Sequence, residues 1–283
     1  MPERRISPTL GRRRLGLELR RLREQAGVTL DTVADRLDCS SSKISRIETG
    51  HIGVSPRDVT EMLSIYAVSA ELTAELLQVS RDARQKGWWQ AYGTALAGAY
   101  VGFEQATSRI KTYEAQLIPG LLQTPAYATA VFRAARPNIT IELLKRRLEV
   151  RTKRQSLLSV EDPLDLWVIL DESVFRRVVG GTEIMSVQLE CLLQAAQEPN
   201  ITVQVIPFSR GAHAGMEGTF SILEYTEDVY QDLVFVENAV GGLFLEKDGD
   251  LERYETLFGI LQETALPQDR SLEFISACAK EFQ

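Results

Sequence analysis

Residues 41–49 read Ser, Ser, Lys, Ile, Ser, Arg, Ile, Glu, Thr. Ile44 and Ile47 lie three apart, the spacing of one helical face, so the helix they predict turns Ser41, Ser42, Lys43, Ser45 and Arg46 toward water. Such a face recognises polar or anionic surfaces. Arg46 is its most discriminating group, because a guanidinium is a planar fork that grips two acceptors at once, whereas a serine hydroxyl takes almost any partner. Eight further arginines precede Gly27: Arg4, Arg5, Arg12, Arg13, Arg14, Arg20, Arg21 and Arg23.

Catalytic chemistry has less to work with. The 283 residues include two histidines, His51 and His213, and the chain lacks HExxH, CxxC, GxxxxGK and GxSxG patterns. His213 stands in a glycine-flanked loop, and Asp171 and Glu172 follow an apolar, strand-like run at 164–170; Glu237 and Glu246 sit near other predicted strand ends. Polar groups at strand ends can converge on a pocket. Helix capping by Asp171 and Glu172, and the backbone freedom of the glycines, account for the same residues. We therefore read Asp171, Glu172 and His213 as a candidate ligand or partner site, and expect no catalytic residue, no metal site, no cofactor and no enzyme activity.

The formal net charge of −7 argues against a nucleic-acid partner, but the average conceals a split. Residues 1–57 hold 12 Lys and Arg against 7 Asp and Glu, and the remainder holds 20 against 32. A cationic head precedes an acidic body. With 44% hydrophobic and 25% charged residues the composition is that of a folded globular protein. No apolar run approaches the ~18 residues of a membrane span, no signal-peptide core is present, and Cys39, Cys191 and Cys278 are odd in number and scattered. The expectation is a reduced, cytoplasmic protein without membrane contact.

Several elements must position the cationic face. Leu15, Leu19, Leu22 and Ala26 predict a first helix stopped by Gly27; Thr29 is placed to cap a second through Val33, Ala34 and Leu37. The helix at 41–49 is the third, Ser55 and Pro56 open a fourth, and 70–84 reads as a fifth. Two helices joined by so short a turn cross steeply, which calls for a small residue, Ala34, at their approach.

Over residues 12–80, and most closely in TLDTVADRLDCSSSKISRIETG, the sequence resembles the lambda-repressor-like, or xenobiotic-response-element, helix-turn-helix family. Asp38 departs from the family's usual turn glycine, though Asp tolerates the left-handed conformation. The resemblance implies a five-helix all-α domain whose third helix enters the major groove of an operator. Ser41, Ser42 and Arg46 would then face base edges, Lys43 would lie near phosphate, Ser45 would belong to the same DNA-binding face, and Thr29 with the amides of Leu30 and Asp31 would meet the backbone. It also implies that Arg23 and Glu48 form a structural ion pair. Residues 1–11 read as a basic arm; Arg12, Arg13 and Arg14 either extend it toward DNA or are solvated.

Past Arg84 the helical period breaks around Trp88 and Trp89, so 12–86 is taken as the head, 87–107 as a junction and 108–283 as a second domain. The tryptophans read as packing anchors. Helices are predicted over 124–135 and 139–158, the latter with Arg147, Arg151 and Arg154 on one face, read as solvated or salt-bridged. Strands at 164–170, 201–206, 219–225, 233–236 and 243–245, with helices at 183–197, 250–263 and 271–282, predict an α+β domain with a mostly antiparallel sheet. The segments YEAQLIPGLLQTPAYA, LWVILDESVFRRVVGG and PNITVQVIPFSRGAHAGMEGTFSILEY resemble a bacterial family that joins such a head to an uncharacterised C-terminal domain, described as antitoxin-like regulators. The resemblance implies a DNA-binding regulator whose second domain receives a signal, as a small-molecule effector or a small co-encoded protein; because one small head offers too few base contacts for operator-level affinity, a homodimer is expected. In the alternative, binding that protein is the main role and DNA contact serves autoregulation.

Overall fold

The computed structural model describes residues 8–84, 88–92, 99–226, 231–238 and 241–282. Contacts divide the chain into two compact units, Met1–Ala106 and Thr107–Gln283.

The first unit contains α1 (Pro8–Gln25), α2 (Leu30–Arg36), α3 (Ser41–Glu48), α4 (Pro56–Ile65), α5 (Ala70–Asp82) and α6 (Ala99–Glu104). Local chemistry sets their starts: the side chains of Thr29, Ser40, Ser55 and Ser69 accept the amides of Thr32, Lys43, Asp58 and Leu72. Gly27 and Gly50 (φ +67° and +69°) and two non-glycines, Asp38 (φ +48°) and Ala67 (φ +55°), supply the left-handed turns. Leu15, Leu19, Val33, Ala34, Ile44, Ile47, Val59, Met62, Leu63 and Leu76 close over one core, while Ala26, beyond the end of α1, is exposed.

Residues 8–11 correct the expected arm. They form the first turn of α1, because Leu10 is buried and a proline at the start of a helix loses no hydrogen bond. Arg12, Arg13 and Arg14 are therefore helical: Arg14 pairs with Glu75 of α5 at 3.4 Å, and Arg13 lies 5.2 Å above the Phe103 ring of α6. Residues 1–7 lie outside the described residues. Of the expected junction, the described residues 88–92 and 99–106 belong to this unit, with Trp88 donating to Gln105 Oε1 at 3.1 Å and Glu104 fully buried. The side chain of Trp89 lies outside the described residues.

Helix α3 is seated by close contact and by charge. A Cβ on Gly16 of α1 would stand 2.5 Å from the Ile47 carbonyl oxygen, so only glycine lets the two helices approach this far. Glu48, 3% exposed, receives both arms of Arg23, Nε to Oε1 at 2.7 Å and Nη2 to Oε2 at 2.9 Å. That hydrogen bonding holds the Arg23 guanidinium above the ordinary arginine range.

The second unit is built on one six-stranded sheet of order β3-β2-β1-β4-β5-β6. Its strands are β1 (Arg109–Glu114), β2 (Asp165–Asp171), β3 (Ile201–Ile206), β4 (Phe220–Glu224), β5 (Leu233–Asn238) and β6 (Gly241–Leu245). Its helices are α7 (Pro125–Ala135), α8 (Ile141–Gln155), α9 (Ser173–Arg176), α10 (Thr182–Ala195), α11 (Asp248–Thr264) and α12 (Gln268–Lys280). Three of the five pairings are antiparallel, all from β4 onward or onto it; β1, β2 and β3 run parallel. The chain reaches β2 through α7 and α8 and β3 through α9 and α10, and crossovers of that length return a strand in the same direction. Both faces of β2 are covered, which explains its continuous apolar run. The open edge of β3 is closed by Ser271, whose hydroxyl accepts the Val205 amide, and by Leu266, whose amide donates to the Val205 carbonyl.

Two arginines of α8 do more than meet solvent or an acid. Arg147 and Arg151 both stack on Phe132 of α7, at 5.4 and 5.2 Å, and Arg151 donates to Gln123 Oε1 at 2.6 Å. Beside them, burial and the nearby Glu237 push the Glu114 carboxyl up to about 8, against the pull of Arg151 and of hydrogen bonds with Thr112 and Thr219.

Two outcomes are expected. Glu48→Gln leaves Arg23 with a buried, half-answered charge and should cost about 3 kcal/mol of head stability, read from denaturant melts. Glu114 carries a folded pKa above its ordinary value of 4.5, so its contribution is fully present below that value and is lost as pH rises to about 8. Unfolding of the second unit should thus become easier across that window, and Glu114→Gln should flatten the dependence.

Candidate nucleic-acid interface

Helix α3 carries 100° per residue, so Ile44, Ile47 and Glu48 fall together on the buried side. Opposite them stand Ser42, Arg46 and Thr49, all exposed, with Ser45 half-buried beside them. Ser41 and Lys43 occupy the two flanks, and each flank meets an acid from a neighbouring helix. The Ser41 hydroxyl donates to Asp31 Oδ1 on α2, and Lys43 Nζ lies 3.8 Å from Asp58 Oδ2 on α4. Among the described residues Ser42 and Arg46 have no side-chain partner. The guanidinium of Arg46 is therefore free to donate outward, and Thr49 turns its own hydroxyl back to the Ser45 carbonyl at 2.8 Å.

The N-terminus of α2 lies alongside. Thr29 Oγ1 accepts the Thr32 amide at 3.2 Å and shares a hydrogen bond with the Thr32 hydroxyl, so its side chain is engaged as a cap. Leu30 is half-buried against the core, leaving only its amide to face solvent chemistry. In the sequence Ser41, Ser42, Lys43, Ser45 and Arg46 stand out as contact residues and Asp31 only for its backbone amide, whereas the Asp31 carboxylate, Asp58 and Thr49 do not. Thr49 was accessible from helical spacing, since it stands three residues past Arg46. Asp31 and Asp58 belong to other helices, and no local period marks them.

In the second unit the structure brings Asp171 and His213 together at the ends of β2 and of the loop before β4. His213 Nε2 lies 3.3 Å from Asp171 Oδ2, and the Gly215 amide donates to His213 Nδ1 at 3.2 Å. With Nδ1 accepting, Nε2 carries the proton and donates to Asp171, so one ring nitrogen is used within the loop and the other on the end of β2. Asp171 Oδ1 also accepts the Ser173 amide at 2.8 Å. Glu172 serves a separate junction, accepting the Phe208 amide at 2.8 Å and Arg176 Nε at 2.9 Å. Gly215 is pressed against Tyr113, where a Cβ would stand 2.6 Å from the ring. The loop is thus pinned from three sides, while Phe208 and Met216 on it are 56% and 71% exposed.

A separate open groove of about 670 Å³ lies in the same unit, between Leu122, Pro125, Leu158, Val160, Cys191 and Pro199. Among the described residues no group of three or more His, Cys, Asp or Glu could hold a metal ion, and no helix is long and apolar enough to cross a membrane.

Comparison with known families places two matches on these units. Residues 14–76 match a helix-turn-helix domain, covering α1 to α5 in large part. Residues 97–277 match a domain of unknown function, DUF5753, which takes in the whole sheet. No curated protein and no solved structure matches the chain. The first unit is a helix-turn-helix domain, and the chain, matched over more than half its length, belongs to the DUF5753 family.

Proposed function

We propose that the protein is a sequence-specific, DNA-binding transcriptional regulator of the cytoplasm, in which α3 reads the major groove of an operator and the second unit receives a ligand or a protein partner. The observation that carries the reading is the outward face of α3. A guanidinium and a serine hydroxyl without partners among the described residues are held there by a helix whose opposite side is locked by Ile44, Ile47 and the Arg23–Glu48 pair. Arg46 supplies base discrimination by two hydrogen bonds to guanine O6 and N7. Lys43 supplies phosphate contact, exchanging a half-buried carboxylate held at 3.8 Å for a phosphate. The amide of Leu30, in the turn capped by Thr29, adds a backbone contact that carries no sequence information. One small domain offers few base contacts, so the working form is a homodimer on half-sites about 34 Å apart.

The second unit acts by differential binding: an effector shifts operator occupancy only as far as it prefers one dimer geometry over the other. The groove is of the size of small-molecule sites. The pinned loop around His213, with Phe208 and Met216 exposed, suits contact with a protein, and a small protein that co-purifies stoichiometrically would favour the antitoxin-like role.

Selection of bound fragments from genomic DNA at near-physiological salt tests the head. The wild-type protein should recover a short palindrome. Arg46→Ala should relax base choice at one position per half-site, losing about 1 to 3 kcal/mol of discrimination. Lys43→Ala should weaken all sequences alike and lower the salt slope by about one unit. Identical effects from the two variants would refute the assignment of α3. For the second unit, His213→Ala should change the response to effector or partner while intrinsic operator affinity stays at the wild-type value; equal loss in both assays would mean that the loop only stabilises the fold.

A further inference from the structure

The flank of α3 that faces α2 carries a polarity that residue types alone do not reveal. A serine hydroxyl has one proton and two lone pairs, and ordinarily donates or accepts as its partner requires. Here the Ser41 proton is committed to Asp31 Oδ1. The hydroxyl therefore presents only lone pairs outward. Asp31 is itself exposed, and its second carboxylate oxygen has no partner among the described residues. The pair is a cluster of acceptors standing one helical flank away from Arg46, a pure donor. Ser41 and Arg46 are five residues apart on the helix, or about two base-pair steps along the groove.

We propose that Asp31 and Ser41 form a specificity-determining acceptor pair that selects the exocyclic amino group of a cytosine, about two base pairs from the guanine taken by Arg46. Resting on the reading of α3 as a recognition helix, the assignment follows from the donor and acceptor code of the major groove. Cytosine offers its N4 amino group as a donor there, guanine offers two acceptors, and thymine an acceptor and a methyl group. A carboxylate and a lone-pair-only hydroxyl are repelled by guanine and thymine edges and attracted by an amino group. Adenine carries a donor too, but its N7 acceptor would lie against the same carboxylate, which makes cytosine the better fit. The negative charge has a second effect. It lowers affinity for the backbone near α2, so binding leans more on base identity than the eight arginines before Gly27 would suggest.

The test uses the full-length protein, with Asp31→Asn and Ser41→Ala, in selection from a random duplex pool followed by affinity measurement on single-base variants of the enriched site at fixed salt. Wild type is expected to favour cytosine by about tenfold at one position per half-site. In Asp31→Asn, whose amide donates as well as accepts and frees the serine proton, the preference should fall to about twofold or less while the Arg46-dependent guanine preference persists. Ser41→Ala, which removes the same hydrogen bond from the other side, should weaken the cytosine preference without abolishing it. Three results would overturn the proposal: no cytosine preference in wild type, an unchanged preference in Asp31→Asn, or uniformly tighter binding with base choice intact, the mark of a charge that only tunes backbone attraction. Loss of the guanine preference along with the cytosine preference would also overturn it, since Asp31 would then act by positioning α3. If wild type enriches no sequence, the recognition-helix reading fails as well.

Discussion

A carboxylate buried at the C-terminal end of a helix is doubly disfavoured, by desolvation and by the negative end of the helix dipole. Glu48 occupies that position and is 3% exposed. It is tolerable only because Arg23 meets it with two parallel hydrogen bonds, and the same guanidinium donates to the Val28 carbonyl at 3.0 Å. One side chain thereby ties α1, the turn into α2 and the end of α3 to each other. Gly16 allows the close approach this requires, since any side chain there would collide with the carbonyls of Ile47 and Glu48. Hydrophobic contact alone would seat α3 but not orient it, because apolar packing is non-directional. The bidentate pair supplies the direction.

With its inner side fixed, the outer side of α3 divides into a free centre and two restrained flanks. The centre, with Ser42 and Arg46, is free of side-chain partners among the described residues. The flanks are each answered by an acid, Asp31 against Ser41 and Asp58 against Lys43. This tempers the charge of a head that is otherwise cationic. Undiluted positive charge attracts any phosphate backbone, and carboxylates set beside cationic groups weaken that sequence-independent attraction.

The second unit follows a different logic. Its parallel half, β3-β2-β1, is fed by helical crossovers, and its antiparallel half, β4-β5-β6, by short connections. Polar residues gather where the first set of strands ends: Asp171 with His213, Glu172 with Phe208 and Arg176, and Glu114 near Arg151 and Glu237. These are engaged groups. His213 spends one ring nitrogen on its own loop and the other on Asp171 of β2, and Glu114 is held in a setting that favours its neutral form. Phe208 and Met216 are exposed nearby.

The amino-acid sequence by itself determined what depends on neighbours along the chain. The caps at Thr29 and Ser55, the three-residue spacing of Ile44 and Ile47, the left-handed turn at Asp38 and the apolar run of β2 all act within about five residues, so they are legible in one dimension. The family patterns extended this to the five-helix head and the α+β body. Tertiary structure alone decided the rest. The parallel order of β1, β2 and β3, the helical state of residues 8–14 and the stacking of Arg147 and Arg151 on Phe132 each depend on elements far apart in sequence. So does the commitment of the Ser41 proton to Asp31. The physical reason is common to all of them: a hydrogen bond or ring contact acts only within a few ångströms, and sequence fixes which groups exist but only the fold fixes which of them come that close.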